Sequence, residues 1–105
     1  RQFHAGLDMA AVYAATVHAA ASGTVTFAGE TPGYGKTVVV THRFGFQTRY
    51  AHLTLIYTRK GAKVEKGDVI GFVGSTGIST GNHLHYEVIK NQKRINPLNF
   101  IYGTK

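Results

Sequence analysis

The sequence predicts an all-β domain. Thirteen glycines punctuate short runs rich in Val, Ile, Thr, Tyr and Phe, the pattern of strands separated by turns. No stretch shows sustained helical periodicity with caps at its ends. The one helix candidate is alanine-rich Met9 to Ala21, but its β-branched residues and weak amphipathicity favour extended chain with bends. Gly23-Thr24-Val25-Thr26-Phe27-Ala28-Gly29 reads as a strand, and Glu30 to Gly35, with Pro32, Gly33 and Gly35, as a loop. Lys36 to His42 is a β-branched strand. Phe44-Gly45-Phe46 is a tight turn, from which Gln47 to Leu53 returns as the next strand. A basic segment, Arg59 to Lys66, precedes Gly67-Asp68, which turns the chain into Val69-Ile70-Gly71-Phe72-Val73. Gly74 to Gly81 is a Ser/Thr/Gly loop leading into Asn82-His83-Leu84-His85-Tyr86-Glu87-Val88, another strand. Asn91 to Arg94 reads as a polar turn, and Pro97 to Tyr102 as a final helical turn or edge.

A chain of 105 residues, 43% hydrophobic, suits one domain with one real core. No internal repeat, linker or second domain divides residues 1–105. The absence of cysteine excludes disulfides, thiolate zinc sites and cysteine nucleophiles, and leaves the compartment open. No apolar run reaches transmembrane length, and no signal peptide opens the chain. His4 stands almost at the terminus, where chains fray unless tied down. The expectation is a single domain that forms the C-terminal part of a longer protein, with the targeting signal upstream. The net charge of +7 favours a polyanionic surrounding. Without an RNP-type aromatic sequence, a basic helix or a zinc finger, nucleic acid is a weaker partner than an anionic cell-wall polymer.

The chemistry concentrates in histidines. Residues two apart on a strand share a face, so His83 and His85 project side by side, Glu87 continues that face, and Leu84, Tyr86 and Val88 take the core face. His4 and Asp8 lie four apart around Gly6, a spacing that suits a helical or an extended face; Gly6 leaves room for an ion or a substrate backbone. In Thr48-Arg49-Tyr50-Ala51-His52, alternation puts Thr48, Tyr50 and His52 on one face. His18 and His42 have no such company and are assigned surface or supporting roles. A catalytic zinc keeps three protein ligands and one position for water. Five candidates are available, His4, Asp8, His52, His83 and His85, and spacing does not say which three bind.

His4-Ala5-Gly6-Leu7-Asp8, Tyr50-Ala51-His52-Leu53 and His83-Leu84-His85-Tyr86-Glu87 together resemble the motifs of the lysostaphin/LytM-type zinc metallopeptidases, the M23 family of peptidoglycan hydrolases. Gly33-Tyr34-Gly35-Lys36, Val64 to Gly71, Gly74-Ser75-Thr76-Gly77 and Ser79-Thr80-Gly81 are also similar to the family, so the likeness runs from His4 to about Pro97. It implies a compact, mostly antiparallel β-sheet or sandwich domain with a substrate groove. It implies one zinc held by His4, Asp8 and His85, with His83 and His52 as catalytic, non-ligating histidines. The reaction implied is hydrolysis of cross-link or stem-peptide bonds in bacterial peptidoglycan by a metal-activated water, with His83 as general base and His52 orienting the water or stabilising the oxyanion. The setting implied is the bacterial envelope, periplasmic or extracellular. Tyr50, Ser79, Thr80 and Asn82 are candidate substrate contacts. Where the family commonly has prolines and a glycine after the first motif, this chain reads Val12-Tyr13-Ala14-Ala15-Thr16-Val17; Asn82 stands where proline is common. These departures bear on loop and groove shape and remove no ligand. The alternative is a non-catalytic envelope relative that binds the wall or activates another hydrolase. An inhibitory upstream segment or a regulatory partner fits either reading. A biotinyl or lipoyl carrier, suggested by Val64 to Ile70, would need a lysine at a hairpin tip, and none stands out.

Overall fold

The computed structural model describes residues 6–10, 14–74, 83–90 and 93–95, with side chains at 14–74 and 84–90. The alternating valines of Val38, Val39 and Val40 and the matching run from Thr48 to Ala51 pair as neighbouring strands at the centre of one sheet. In chain order the strands are β1 (Gly6–Ala10), β2 (Thr16–His18), β3 (Gly23–Thr31), β4 (Gly35–Thr41), β5 (Phe46–Ile56), β6 (Lys63–Val64), β7 (Val69–Val73), β8 (His83–Lys90) and β9 (Lys93–Ile95). The main path runs β1-β8-β5-β4-β3-β6, with β7 also on β5, β2 on β7 and β9 on β8. Every pairing among the described residues is antiparallel. The all-β expectation holds. Within the alanine-rich stretch, Met9 and Ala10 lie in β1 and Thr16 to His18 in β2, as extended chain.

Several boundaries differ from those read in the sequence: β5 starts at Phe46 and continues to Ile56, and Lys63–Val64 inside the basic segment form β6. β3 runs through Glu30 to Thr31, and only residues 32–34 form the turn, because Glu30 and Thr31 still pair with Lys36 and Gly35. The segment read as a polar turn after β8 returns as β9, with Lys93 opposite Lys90. Pro97 to Tyr102 lies outside the described residues.

The core takes side chains from seven strands: Val17, Val25, Val38, Val40, Tyr50, Leu53, Val64, Ile70, Val73, Tyr86 and Val88 are all buried together. A flat sheet buries one face only where something covers it; here the sheet curls so that β2, β6 and β7 close over the inner face of its centre. Gly71 permits one close approach: a Cβ there would meet the Leu55 carbonyl oxygen and the Leu53 Cδ1, each at 2.9 Å.

A hydrogen-bonded chain threads this core. The Ala20 N–H donates to the Tyr50 hydroxyl at 2.9 Å. Tyr50 lies 2.7 Å from Thr48 Oγ1, Thr48 Oγ1 lies 2.7 Å from His42 Nε2, and His42 Nδ1 lies 2.7 Å from the Ser22 carbonyl. A carbonyl only accepts, so His42 carries its proton on Nδ1, and the chain runs in one direction with every donor used. Burial pushes the His42 pKa below its ordinary value of 6.5, against the Ser22 carbonyl, which pulls it up. A second proton on Nε2 would remove the acceptor of the Thr48 hydroxyl and leave one hydroxyl proton of the Thr48–Tyr50 pair with no acceptor in the chain.

Two outcomes follow. Thr48→Val should destabilise by about 1–3 kcal/mol in denaturant unfolding, because it deletes a buried link and leaves polar groups on both sides of it. The unfolded chain protonates His42 more readily than the folded one, so this residue's contribution is complete above pH 6.5 and declines as pH falls from there toward the lowered folded value. Melting temperatures of the wild type should therefore drop more steeply between about pH 7 and about pH 5 than those of His42→Gln.

Candidate metal centre

The face of the sheet opposite the core gathers the chemistry. Residues directly opposite one another in an antiparallel ladder project to the same side. β8 pairs Asp8 with His85, Ala10 with His83 and Gly6 with Glu87 on one flank, and Ala51 with His85 and Arg49 with Glu87 on the other. Tyr86, between them, packs its ring on Tyr50 in the core, with centroids 5.5 Å apart. The reading of His85 and Glu87 as one face holds, their side chains lying 2.9 Å apart. Asp8 stands in the same row as His85, although its side chain is not among those described. His83 is placed by its main chain in β8. His4 and the loop candidates Ser79, Thr80 and Asn82 lie outside the described residues.

His52 reaches this face by a break in the strand pattern. Unbroken alternation would put it in the core with Thr48 and Tyr50. Instead the β4–β5 register shifts between Val38↔Tyr50 and Lys36↔Leu53, so β5 holds one extra residue, and His52 takes φ +61°. That left-handed conformation is uncommon outside glycine and costs on the order of 1–3 kcal/mol. Hydrogen bonds hold it from both sides: the His52 N–H donates to the Tyr34 carbonyl at 2.8 Å, and its carbonyl accepts from the Gly74 N–H at 3.1 Å. The imidazole turns to His85, with ring centroids 5.9 Å apart and edge-to-face. The bulge also ends the pairing of β5 with β8 and begins its pairing with β7 at Leu53. The site thus sits in the fork where two strands part from a third. On β5 the small, buried Ala51 lies opposite His85.

Tyr50 is not a substrate contact. It is 1% exposed, and its hydroxyl belongs to the core chain. His42 and His18 are also elsewhere; His18 is exposed and bridges Thr16 Oγ1 and the Gly67 carbonyl.

Three residues that were not singled out as site residues complete the centre. Glu87 is 3% exposed, a buried carboxylate. Its Oε2 accepts from the Tyr34 hydroxyl at 3.0 Å and lies 2.9 Å from His85 Nε2, while its Oε1 accepts from Arg49 Nη1 at 2.9 Å. Arg49 lies over the Tyr34 ring, 4.8 Å from its centroid, and the same ring is 5.8 Å from that of His85. The signal in the sequence was an acidic residue two positions after His85 on the same face. Nothing local showed that Tyr34, fifty-three residues away, would reach it. Beyond Tyr34 and Arg49 the surface drops into an open depression of about 570 Å³ lined also by Phe27, Thr37, Val39 and Gln47.

Asp8 and His85, paired in one row, are residue types that suit zinc, which takes imidazole nitrogen and carboxylate oxygen. Among the described residues no helix is long and apolar enough to cross a membrane.

Comparison with known proteins agrees with this geometry. The chain is 47% identical over 103 residues to the DD-carboxypeptidase/endopeptidase Mpg of Neisseria meningitidis serogroup B, covering 98% of this chain and 24% of Mpg. It is 33% identical over 97 residues to the murein hydrolase activator NlpD of Salmonella dublin, covering 91% of this chain and 26% of that protein. The chain thus spans about a quarter of the length of these relatives. Among solved structures, the catalytic domain of lysostaphin from Staphylococcus simulans superposes with a TM-score of 0.89 at 30% identity, covering 94% of this chain and 79% of that one. A zinc-containing peptidase from Vibrio cholerae gives a TM-score of 0.84 at 36% identity, covering 88% of this chain and 28% of that one. The family model described as peptidase family M23 matches residues 2–97, and with it the chain belongs to that family of peptidoglycan hydrolases.

Proposed function

We propose that this chain is a zinc-dependent endopeptidase domain that hydrolyses peptide bonds in bacterial peptidoglycan, with His4, Asp8 and His85 holding one zinc and His83 and His52 serving the reaction. The observation that carries the reading is the placement of Asp8, His85 and Ala51 in one row with the His52 ring turned to the same face. Membership of the M23 family of peptidoglycan hydrolases supports the substrate class and, with it, a place in the envelope, periplasmic or extracellular.

Zinc, when bound, supplies a Lewis acid and makes water a competent nucleophile near neutral pH. The chain's residues would do the rest. His83 follows the same strand face as His85 and takes the proton of the attacking water, then passes it to the leaving amine. His52, fixed through its main chain by Tyr34 and Gly74, directs its ring toward the charge that develops on the carbonyl oxygen. The depression past Tyr34 and Arg49 accommodates one arm of the substrate. Ser79, Thr80 and Asn82 would serve as substrate contacts. A net charge of +7 suits an anionic wall polymer.

The similarity to NlpD favours a second reading, a non-catalytic module that activates another wall hydrolase. Zinc uptake and turnover separate the two. Purified protein should carry about one zinc per chain, and release of peptides from purified peptidoglycan, followed by mass spectrometry, should stop on chelation and resume with added zinc. Metal-free protein with no turnover after zinc addition would favour the activator. Asp8→Ala should weaken metal binding. His83→Ala should keep the metal and lose on the order of 10²–10⁴-fold in turnover; if it instead loses metal while His85→Ala keeps it, the ligand assignment is reversed.

A further inference from the structure

We propose that Glu87, clamped by Tyr34 and Arg49, is the positioning residue of the metal centre: it fixes the proton of His85 on Nε2 and so presents Nδ1 as the ligating atom. This inference rests on the zinc reading above and deepens it.

The geometry leads there in three steps. Glu87 is a carboxylate with 4% of its side chain exposed, in a place where a lone charge would be costly. Arg49 donates to Oε1 at 2.9 Å and is itself only 25% exposed, so this oxygen is engaged as an acceptor. Oε2 already receives the Tyr34 hydroxyl at 3.0 Å and lies 2.9 Å from His85 Nε2. The imidazole must therefore donate to it, which puts the proton on Nε2 and the lone pair on Nδ1. A neutral imidazole has one nitrogen of each kind, and the partner of one nitrogen decides the role of the other. A histidine that donates its second nitrogen to a carboxylate is oriented and made a stronger ligand, and loss of such a partner lowers metal affinity about 10–100-fold.

The clamp also explains the construction of this corner. Arg49 and Glu87 face each other across the β5–β8 ladder, so their ion pair is set by register. The Tyr34 ring sits under the guanidinium and beside the His85 ring. The Tyr34 carbonyl takes the His52 N–H. One residue of the β3–β4 turn therefore holds both the carboxylate that orients His85 and the main chain that orients His52.

The test has two readouts, neither of which is turnover. Nitrogen-15 NMR of the metal-free protein at about pH 8.5, where imidazole is neutral, should report His85 as the Nε2–H tautomer. Zinc titrated into the same protein against a chromophoric chelator should bind about 10–100-fold more weakly to Glu87→Gln than to wild type, and several-fold more weakly to Tyr34→Phe, which keeps the ring. An Nδ1–H tautomer of His85 in the wild type overturns the proposal, as does equal zinc affinity in wild type and both variants. Should Glu87→Gln fail to fold, judged by circular dichroism, Tyr34→Phe and the wild-type tautomer still decide. A wild-type chain that takes up no zinc overturns the reading of function itself, whereas equal affinities overturn only the role of Glu87.

Discussion

The site depends on one backbone residue held in an unfavourable conformation. His52 sits at φ +61°, where a side chain of its size is uncommon. From that angle three things follow together. The imidazole leaves the core face, β5 exchanges β8 for β7 as its neighbour, and the sheet opens a fork with His85 at its edge. Strain of this kind persists only where the surroundings over-determine it. Here they do, through Tyr34 on one side and Gly74 on the other, and through the pairing of β5 with the buried valines of β4 beside it.

The two faces of β5 handle polarity by the same rule with opposite aims. On the core face, His42, Thr48 and Tyr50 pass hydrogen bonds in one direction and end on main-chain groups, so the polar groups of that chain stay neutral and closed. On the outer face, Glu87 collects three donors, one of them cationic. A buried charge with good partners specifies geometry more than it adds stability. The core chain is thus a structural device, and the charged cluster is a device for aiming a ring.

Much of this was legible in the sequence because its signals were local. The period-two runs and glycine punctuation located the strands, and His85 with Glu87 gave the correct face of β8. Readings failed where a distant segment decided. Tyr50 looked available because it precedes His52 in a motif, yet strand parity had already committed it to the core. His52 was given the parity of Tyr50 because alternation assumes a strand with no inserted residue. Tyr34 and Arg49 carried no mark of their own; their role exists only once the β3–β4 turn folds over β8. The loop boundary at Glu30 failed for a simpler reason, since proline and glycine mark a turn without saying how far the ladder runs up to it.

The extra residue in β5 has a consequence for how such a domain can vary. Along this strand, side-chain identity can drift wherever shape and polarity are kept. Length cannot. From Thr48 to Ala51 even positions serve the interior and odd positions the groove, and the bulge inverts that parity at His52. Removing or adding one residue between Ala51 and Leu53 would leave composition almost unchanged and yet exchange the two faces beyond it. The groove is written in the count of residues as much as in their chemistry, so insertions that surface loops accept freely are barred from this one point of the sheet.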